Sequence, residues 1–259
     1  MSTPPIYSRI QSRYQRTISD LFFKRSITMH NSAPYISFTF DDFPRSALDT
    51  GGDILLKFGL KGTYYASLGL MGTEGPTGMI FSIKDLKEFF TQGHELGCHT
   101  FDHCHSATTS PQVFEDSIIK NKQTLTALFP GANFRSFSYP NVGPRPGIKR
   151  RTRKYFDCCR SGGQTFNTDT VDLNLLKSYF IEHSRNNLDA IKYVIDQNSR
   201  ANGWLIFAAH GISEVPSPYQ CTPAFFEQIV KYCSDSGARI LPVAEALDSI
   251  MDDSICHQK

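Results

Sequence analysis

The stretch ISFTFDDFP, residues 36–44, ends an apolar run with two adjacent aspartates. Its β-branched and aromatic residues are typical of a buried strand. Asp41 and Asp42 stop that run, and Pro44 follows closely. Because Asp is frequent in turns, one interpretation is a plain strand end. The alternative is a pair of carboxylates with separate chemical tasks at the mouth of a parallel sheet, and the rest of the chain has to distinguish the two.

Strand-like and helix-like segments alternate through most of the chain. Strands are predicted at YISFTF (35–40), KGTYYASL (61–68), HELGCHT (94–100), FRSFSYP (134–140), YFDCCRS (155–161), SYFIEH (178–183), WLIFAAHG (204–211) and ARILPV (238–243). Helices are predicted at 47–59, at 82–93 between an N-cap Ser82 and a stop at Gly93, and at 110–129 with Val113, Phe114, Ile118, Leu125 and Leu128 on one side. Strands separated by helices indicate βαβ units, and therefore an α/β fold with a mostly parallel sheet.

Polar residues end several of the predicted strands. They are Asp41, Asp42, His99, Asn141, Arg160 and His210. Parallel α/β folds collect their chemistry at the carboxyl ends of the strands. We therefore expect a functional site at that edge of the sheet.

Histidines are concentrated in GHELGCHTFDHCHS, residues 93–106. His99 and His103 are four residues apart, and both can reach one ion if the chain turns after the strand. Two histidines and one carboxylate would leave a position on Zn²⁺ open for water. Other nearby residues could be ligands instead, namely His94, His105, Cys98 and Cys104, although Cys98 should point to the opposite face of the strand from His99. The sequence predicts a metal site here, with its ligand set open.

Composition restricts the function classes. A net charge of +2 over 259 residues gives no reason to expect a nucleic-acid partner. The N-terminal residues carry neither the apolar core nor the small-residue cleavage site of a secretory signal, so we expect a cytoplasmic protein. The cysteine count, seven, is odd, and no disulfide framework is expected.

Two motifs resemble those of the polysaccharide deacetylases, the NodB-homology group that forms carbohydrate esterase family 4. TFDD at 39–42 and HTFDH at 99–103 match that family's T-F-D-D and H-[ST]-x-x-H patterns in order and separation. The resemblance extends over residues 35 to about 250, and it implies a distorted (β/α) barrel of mostly parallel strands. We expect a catalytic domain at 34–259 after a basic N-terminal extension at 1–33.

The resemblance also implies an activity, a metal and residue roles. The expected reaction is metal-dependent removal of an acetyl group from an N-acetylamino sugar of a surface glycan or its precursor. By this resemblance, a divalent ion, expected to be Zn²⁺, would be bound by Asp42, His99 and His103. Asp41 would be the catalytic base, and His210 would be the catalytic acid. The two aspartates would then divide metal binding and proton transfer between them.

The third motif departs from the common family pattern. NFRSFSYPNVGPRPG, residues 133–147, is similar to a variant subgroup with Phe-Ser-Tyr-Pro, in which no arginine takes the usual place. The backbone N–H that would bind the oxyanion falls at Asn141. Arg160 is favoured over Arg135 as the partner of Asp41. The family's Leu two residues before the catalytic histidine is Ala208 here, and its Asp-Trp segment has no clear counterpart.

Three alternatives stay open at this point. The altered third motif fits a catalytically degenerate, sugar-binding relative. A two-histidine, one-carboxylate set could instead hold Fe(II), although that chemistry leaves Asp41 without a task. The basic amphipathic segment at residues 9–25 could make weak contact with an anionic membrane surface, or pack its apolar side on the barrel, which is the more common arrangement. The sequence does not predict the oligomeric state.

Overall fold

The structure is a computed structural model that describes residues 17–141 and 143–256. The strands in these ranges are β1 (Ser26–Thr28), β2 (Tyr35–Phe40), β3 (Thr63–Ala66), β4 (Glu74–Gly75), β5 (Gly78–Met79), β6 (Glu95–Cys98), β7 (Ser136–Ser138), β8 (Cys158–Arg160), β9 (Thr170–Asp172), β10 (Tyr179–Phe180), β11 (Trp204–Ala209), β12 (Gly211–Ile212), β13 (Gln220–Cys221) and β14 (Arg239–Ile240). The α-helices are α1 (Asp53–Lys57), α2 (Ile83–Gln92), α3 (Pro111–Leu128), α4 (Pro146–Thr152), α5 (Leu188–Arg200), α6 (Pro223–Asp235) and α7 (Val243–Cys256). A π-helical turn (Ala47–Gly52) precedes α1, and 3-10 turns cover Leu68–Leu70 and Ile181–Ser184.

The main sheet is parallel throughout the described ranges. Its strands follow the order β10-β11-β2-β3-β6-β7-β8. β14 pairs with Tyr35 and Ile36 at the start of β2, whereas β3 pairs with Thr39 and Phe40 at its end. The predicted α/β class with a mostly parallel sheet is confirmed.

The sheet curls until its two outer strands meet. Arg160 ends β8 and Phe180 ends β10, at opposite ends of the strand order. The Arg160 guanidinium nevertheless lies 5.9 Å from the centre of the Phe180 ring. A parallel bridge between Arg160 and Leu176, just before β10, also joins these two edges, and the closure gives the distorted barrel expected from the sequence.

Strand β2 lies in the middle of the sheet, and all six of its residues are buried. It pairs with β11 along its whole length. Phe38 and Phe40 pack against Phe226 of α6, with ring centroids 5.7 and 5.8 Å apart. ISFTF alternates apolar with polar residues although the whole strand is buried. Buried polar side chains need partners, and the Thr39 hydroxyl donates a hydrogen bond to the Phe207 carbonyl at 2.7 Å.

Helix α2 begins and ends where the sequence predicts. The Ser82 hydroxyl accepts a hydrogen bond from the Asp85 backbone N–H, and the Asp85 carboxylate accepts one from the Ser82 N–H. Gly93 ends the helix with φ at 73°, a left-handed conformation that costs glycine little. The helix packs Leu86 and Phe89 into the core.

Most predicted strands run one or two residues too far at their carboxyl ends, and two of them run three residues too far. SYFIEH was expected to be a strand through residue 183, but the strand ends at Phe180 and Ile181–Ser184 form a 3-10 turn. ARILPV ends as a strand at Ile240, because Pro242 has no N–H to donate to a ladder. Helix α7 then begins at Val243.

Helix α3 buries a narrower face than the sequence predicts. Phe114, Ile118 and Leu125 are buried as expected. Val113 and Leu128 are 54% and 39% exposed, so their assignment to the buried side is wrong. Val113 lies about 100° round the helix from Phe114, and Leu128 is the last residue of the helix.

The chain before β2 packs on the barrel from residue 17 onward. β1 pairs with β9 in an antiparallel ladder. The Ser19 hydroxyl donates a hydrogen bond to the Pro144 carbonyl, and the buried Lys149 ammonium donates to the Ser19 carbonyl at 2.6 Å. The assignment of residues 1–33 to a separate extension stays a prediction, and residues 1–16 lie outside the described ranges. Within 17–141 and 143–256, no helix is long and apolar enough to cross a bilayer.

Candidate functional site

The loops after β2, β6 and β7 contain residues with a left-handed backbone. Asp42 has φ at 61°, Thr100 at 62°, His103 at 51° and Asn141 at 67°. Non-glycine residues adopt this region at a cost of roughly 1–3 kcal/mol, and such residues collect at functional sites. Asp and Asn tolerate it best, since their short side chains can bond the local backbone. These sharp turns hold the polar residues that follow three strands at one edge of the sheet.

Asp42, His99 and His103 form a group that could hold a metal ion. Nε2 of His103 lies 3.2 Å from Oδ1 of Asp42, and Nε2 of His99 lies 3.6 Å from the same oxygen. All three ligand atoms lie within 4.8 Å of one another. Ligands of a tetrahedral ion at roughly 2.1 Å are about 3.4 Å apart, so small side-chain shifts would suffice.

The protonation of the group also suits a divalent cation. Nδ1 of His99 donates to the Ser138 carbonyl at 2.8 Å, which leaves the Nε2 lone pair facing Asp42. Burial lowers the pKa of His99 to about 4, so this ring is neutral at pH 7. Burial would raise the pKa of Asp42, but the adjacent His103 and His99 side chains lower it below its usual value. Its buried Oδ1 accepts no hydrogen bond from the described residues, and a cation would satisfy it.

The other ligand candidates from the sequence lie away from this group. Nδ1 of His94 accepts a hydrogen bond from the Gly62 N–H at 3.1 Å, and His105 accepts one from a nearby backbone N–H. Sγ of Cys98 accepts a hydrogen bond from the Asn121 amide at 3.3 Å. Burial raises the pKa of Cys98 to about 12, so it stays a thiol.

Asp41 is paired with Arg160. The guanidinium donates a hydrogen bond from Nη2 to Oδ1 of Asp41, and both side chains are buried. Burial alone would raise the pKa of Asp41, but the positive charge of the Arg160 guanidinium beside it lowers the pKa below its usual value. The carboxylate is therefore ionised at neutral pH.

Aromatic rings fix the position of Arg160. Its guanidinium lies 4.7 Å from the centre of the Tyr65 ring and 5.9 Å from that of Phe180. Arg135, the other candidate from the sequence, points elsewhere. It donates two hydrogen bonds to Asp248 and one to a second aspartate at the surface.

His210 follows β11 and is held by Glu182. Nδ1 of His210 lies 2.7 Å from Oε1 of Glu182. Burial alone would lower the pKa of His210, but the hydrogen bond and negative charge of Glu182 raise it above its usual value. Phe180 lies almost parallel to the imidazole at 6.0 Å, and Tyr219 meets it edge-on at 5.8 Å. The imidazole is thus held in place, and Glu182 favours its protonated form.

Sequence reasoning misses Glu182. From the sequence, candidate site residues were the polar residues that end a predicted strand. The predicted strand SYFIEH runs past Glu182 to residue 183, so Glu182 did not qualify. In the structure the strand ends at Phe180, and the 3-10 turn presents Glu182 at the same edge of the sheet. An earlier strand end would have revealed it. The sequence has no clear counterpart of the family's Asp-Trp segment. In the structure, Glu182 is the residue that contacts His210.

One cavity of about 780 Å³ collects the predicted site residues. All seven line it: Asp41, Asp42, His99, His103, Asn141, Arg160 and His210. Asn141 is exposed. The walls are completed by the hairpin β4–β5, the segment 160–164 and Tyr219. Nε2 of Gln220, next to Tyr219, donates a hydrogen bond to the Thr77 carbonyl of the hairpin at 3.0 Å and so joins these two parts of the wall. The volume is that of a site for a small molecule or a few sugar units.

Comparison with known proteins agrees with the motifs. The model of the polysaccharide deacetylase family matches residues 29–155. Peptidoglycan deacetylase PdaC from Bacillus subtilis is 16% identical, with a TM-score of 0.59, and the match covers 88% of this chain and 96% of that one. The chitin deacetylase from Colletotrichum lindemuthianum is 14% identical, with a TM-score of 0.59 and coverage of 85% and 89%. A CE4 family pseudoenzyme from Bacillus anthracis is 14% identical, with a TM-score of 0.60 and coverage of 85% and 67%.

No curated protein sequence matches the chain. The family match confirms the resemblance drawn from TFDD and HTFDH. The solved structures, at such low identity, establish the fold alone. Because one of them is a pseudoenzyme, this fold by itself does not establish activity, which depends on the residues of the site.

Proposed function

We propose that this chain, which matches the polysaccharide deacetylase family over residues 29–155, is a metal-dependent hydrolase. It removes an acetyl group from an N-acetylamino sugar of a surface glycan or its precursor. A peptidoglycan deacetylase and a chitin deacetylase among the structural neighbours support an acetylated glycan as the substrate class.

The separate surroundings of two adjacent aspartates carry the proposal. Asp41 contacts Arg160, whereas Asp42 faces the imidazoles of His99 and His103. A pair of aspartates in a structural turn would not need two different sets of buried partners. One carboxylate is arranged for proton transfer and the other for ligation.

Asp42, His99 and His103 would hold the divalent ion, and their nitrogen and oxygen donors suit Zn²⁺. A bound Zn²⁺ lowers the pKa of its water to about 7 and polarises the acetyl carbonyl. Asp41 accepts the proton of the attacking water, and Arg160 keeps that carboxylate ionised and aimed. The backbone N–H of Asn141 donates to the developing oxyanion.

His210 completes the reaction on the other side of the scissile bond. An amine leaves poorly as an anion, so it needs a proton as the carbon–nitrogen bond breaks. Glu182 holds the imidazole and raises its pKa, which favours the protonated form that donates the proton. After transfer, the neutral imidazole regains a proton from solvent through the open cavity.

Acetate release tests the proposal. The full chain is assayed on N-acetylglucosamine oligomers and on acetylated glycan precursors, before and after treatment with a chelator and again after Zn²⁺ is restored. We expect loss with the chelator, recovery with Zn²⁺, and no activity for Asp41→Asn. Asp49→Asn, an exposed aspartate in the next helical turn, is the matched control and should keep its activity.

Two outcomes would point to the alternatives. Glycan binding without acetate release by a metal-replete protein would favour a degenerate, sugar-binding relative. Activity that requires oxygen and bound iron would favour the Fe(II) chemistry. A rate of acetate release that is unchanged by the chelator and by Asp41→Asn would refute the mechanism.

A further inference from the structure

Leu21 and Phe22 form an exposed apolar pair in a segment that otherwise packs on the barrel. Leu21 is 64% exposed and Phe22 is 53% exposed. Ser19, two residues earlier, is 1% exposed. Single exposed apolar residues are ordinary, whereas Leu21 and Phe22 are neighbours and together form a small exposed apolar patch.

The backbone on both sides of this pair is fixed to the barrel. The Ser19 hydroxyl donates to the Pro144 carbonyl, and Lys149 donates to the Ser19 carbonyl at 2.6 Å. After the pair, the Phe23 carbonyl accepts a hydrogen bond from the Asn174 amide at 2.7 Å. Leu21 and Phe22 are therefore held outward by anchored flanks.

Two cations lie near the pair. Phe23 alone separates Lys24 from it, and the Arg150 guanidinium lies 5.9 Å from the centre of the Phe23 ring. Among the described residues, neither Lys24 nor Arg150 makes a salt bridge to an acidic side chain. The sequence just before adds Arg9, Arg13 and Arg16, which lie outside the described ranges. We call Leu21, Phe22, Lys24 and Arg150 the Leu21 patch.

The Leu21 patch lies beside the rim of the catalytic cavity. Ser19 is bonded to Pro144, and the neighbouring Gly143 lines the cavity. On the other side, Oδ1 of Asp20 lies 3.8 Å from Nζ of Lys177, which also lines the cavity. A surface that bound this patch would therefore lie close to the cavity.

We propose that the Leu21 patch docks on an anionic lipid surface, and that the substrate is a lipid-linked acetylated glycan precursor. Apolar side chains flanked by Lys and Arg are the combination that inserts at an anionic membrane interface. A second copy of the chain is a poorer occupant, since two cationic patches would repel each other. The identity of the substrate rests on the proposed function, whereas the docking does not.

Vesicle co-sedimentation of the full chain tests the docking. The vesicles are equal parts phosphatidylglycerol and phosphatidylcholine, or phosphatidylcholine alone. The test variant carries Leu21→Ser and Phe22→Ser. The control carries Ile83→Ser and Tyr193→Ser, which remove two other exposed apolar side chains from α2 and α5.

We expect the wild type and the control to bind the anionic vesicles, and the test variant to bind about tenfold more weakly. Lys24→Glu should also weaken binding, and 1 M salt should reduce binding by the wild type. Equal binding by wild type and test variant, or no binding by either, would overturn the proposal. So would a dimer in light scattering that the test variant abolishes.

Activity separates this inference from the proposed function. The test variant should release acetate from a soluble N-acetylglucosamine oligomer at the wild-type rate. When the same sugar is presented on anionic vesicles, its rate of acetate release should be at least fivefold lower than that of the wild type. Equal rates on the vesicle-bound sugar would overturn the lipid-linked substrate. A wild type that binds vesicles but releases no acetate from any substrate would overturn the proposed function and leave the docking intact.

Discussion

Arg160 donates a buried hydrogen bond to Asp41, and this contact joins the outermost strand β8 to the central strand β2 across the barrel. The two residues are 119 positions apart in the chain. Asp42, the next residue, faces His99 and His103 instead. The curl of the sheet thus gives two adjacent carboxylates different partners, and therefore different chemistry.

Arg160→Gln is expected to lower kcat by about 10²–10⁴-fold, since the proton acceptor loses the charge that holds it ionised and aimed. Breaking a buried pair also costs roughly 3–5 kcal/mol of unfolding free energy, so urea unfolding should accompany the kinetics. Arg135→Gln is the control because Arg135 pairs with surface aspartates. It should change kcat less than about twofold and cost about 1 kcal/mol at most. Equal losses in the two variants would contradict the assigned role of Arg160.

Asp41→Asn and Asp42→Asn are expected to fail in different ways. Asp42→Asn removes an anionic ligand and should weaken Zn²⁺ binding by about tenfold or more. Asp41→Asn should bind Zn²⁺ as the wild type does and lose activity, because the amide cannot accept the proton. Equilibrium dialysis with metal analysis measures the first property, and acetate release measures the second. Equal metal loss in both variants would show that the roles are divided wrongly.

Glu182→Gln should move the alkaline limb of the pH profile of kcat/KM to lower pH. Glu182 raises the pKa of His210 above 6.5, and the acid form is lost as pH rises through that pKa. Removing the charge lowers the pKa, so the proton is lost earlier. Glu74→Gln alters a cavity carboxylate on β4 and should leave this limb in place. An unchanged limb in Glu182→Gln would argue against His210 as the acid.

The pair of Glu182 and His210 also predicts how the free energy of unfolding depends on pH. The folded state binds the His210 proton more tightly than the unfolded chain, whose reference pKa is 6.5. The stabilisation is therefore complete below pH 6.5 and is lost as pH rises through the raised folded pKa. Urea unfolding of wild type and Glu182→Gln across this range should show their difference in free energy shrinking with pH. A constant difference would rule out this linkage.

Gly97→Ala is expected to disturb the support of Arg160. A Cβ at residue 97 would lie 2.4 Å from the buried ring of Tyr65, which holds the Arg160 guanidinium at 4.7 Å. We expect a loss of about 1–3 kcal/mol in unfolding free energy and a lower kcat. Gly75→Ala is the control, because its Cβ would meet no atom within 4 Å. Its unfolding free energy should stay within about 0.5 kcal/mol of the wild type.

Much of the fold could be predicted because local chemistry agrees with the tertiary structure. The Ser82 cap and the Gly93 stop define α2 in both. The β-branched and aromatic residues at 36–40 indicated a buried strand, and all of β2 is buried inside the sheet. Errors occurred at strand ends. The strand of SYFIEH stops at Phe180, where a 3-10 turn follows, and that of ARILPV stops at Ile240, shortly before Pro242.

The sequence by itself determined the βαβ order and the polar residues that follow the strands, because strand composition, helix caps and short motifs act over a few residues. From these and the family resemblance came the ligand candidates Asp42, His99 and His103. Only the tertiary structure decided which distant side chains contact the site residues. Arg160 reaches Asp41, and Glu182 reaches His210, because the curled sheet brings its outer strands together, and no local pattern encodes that closure.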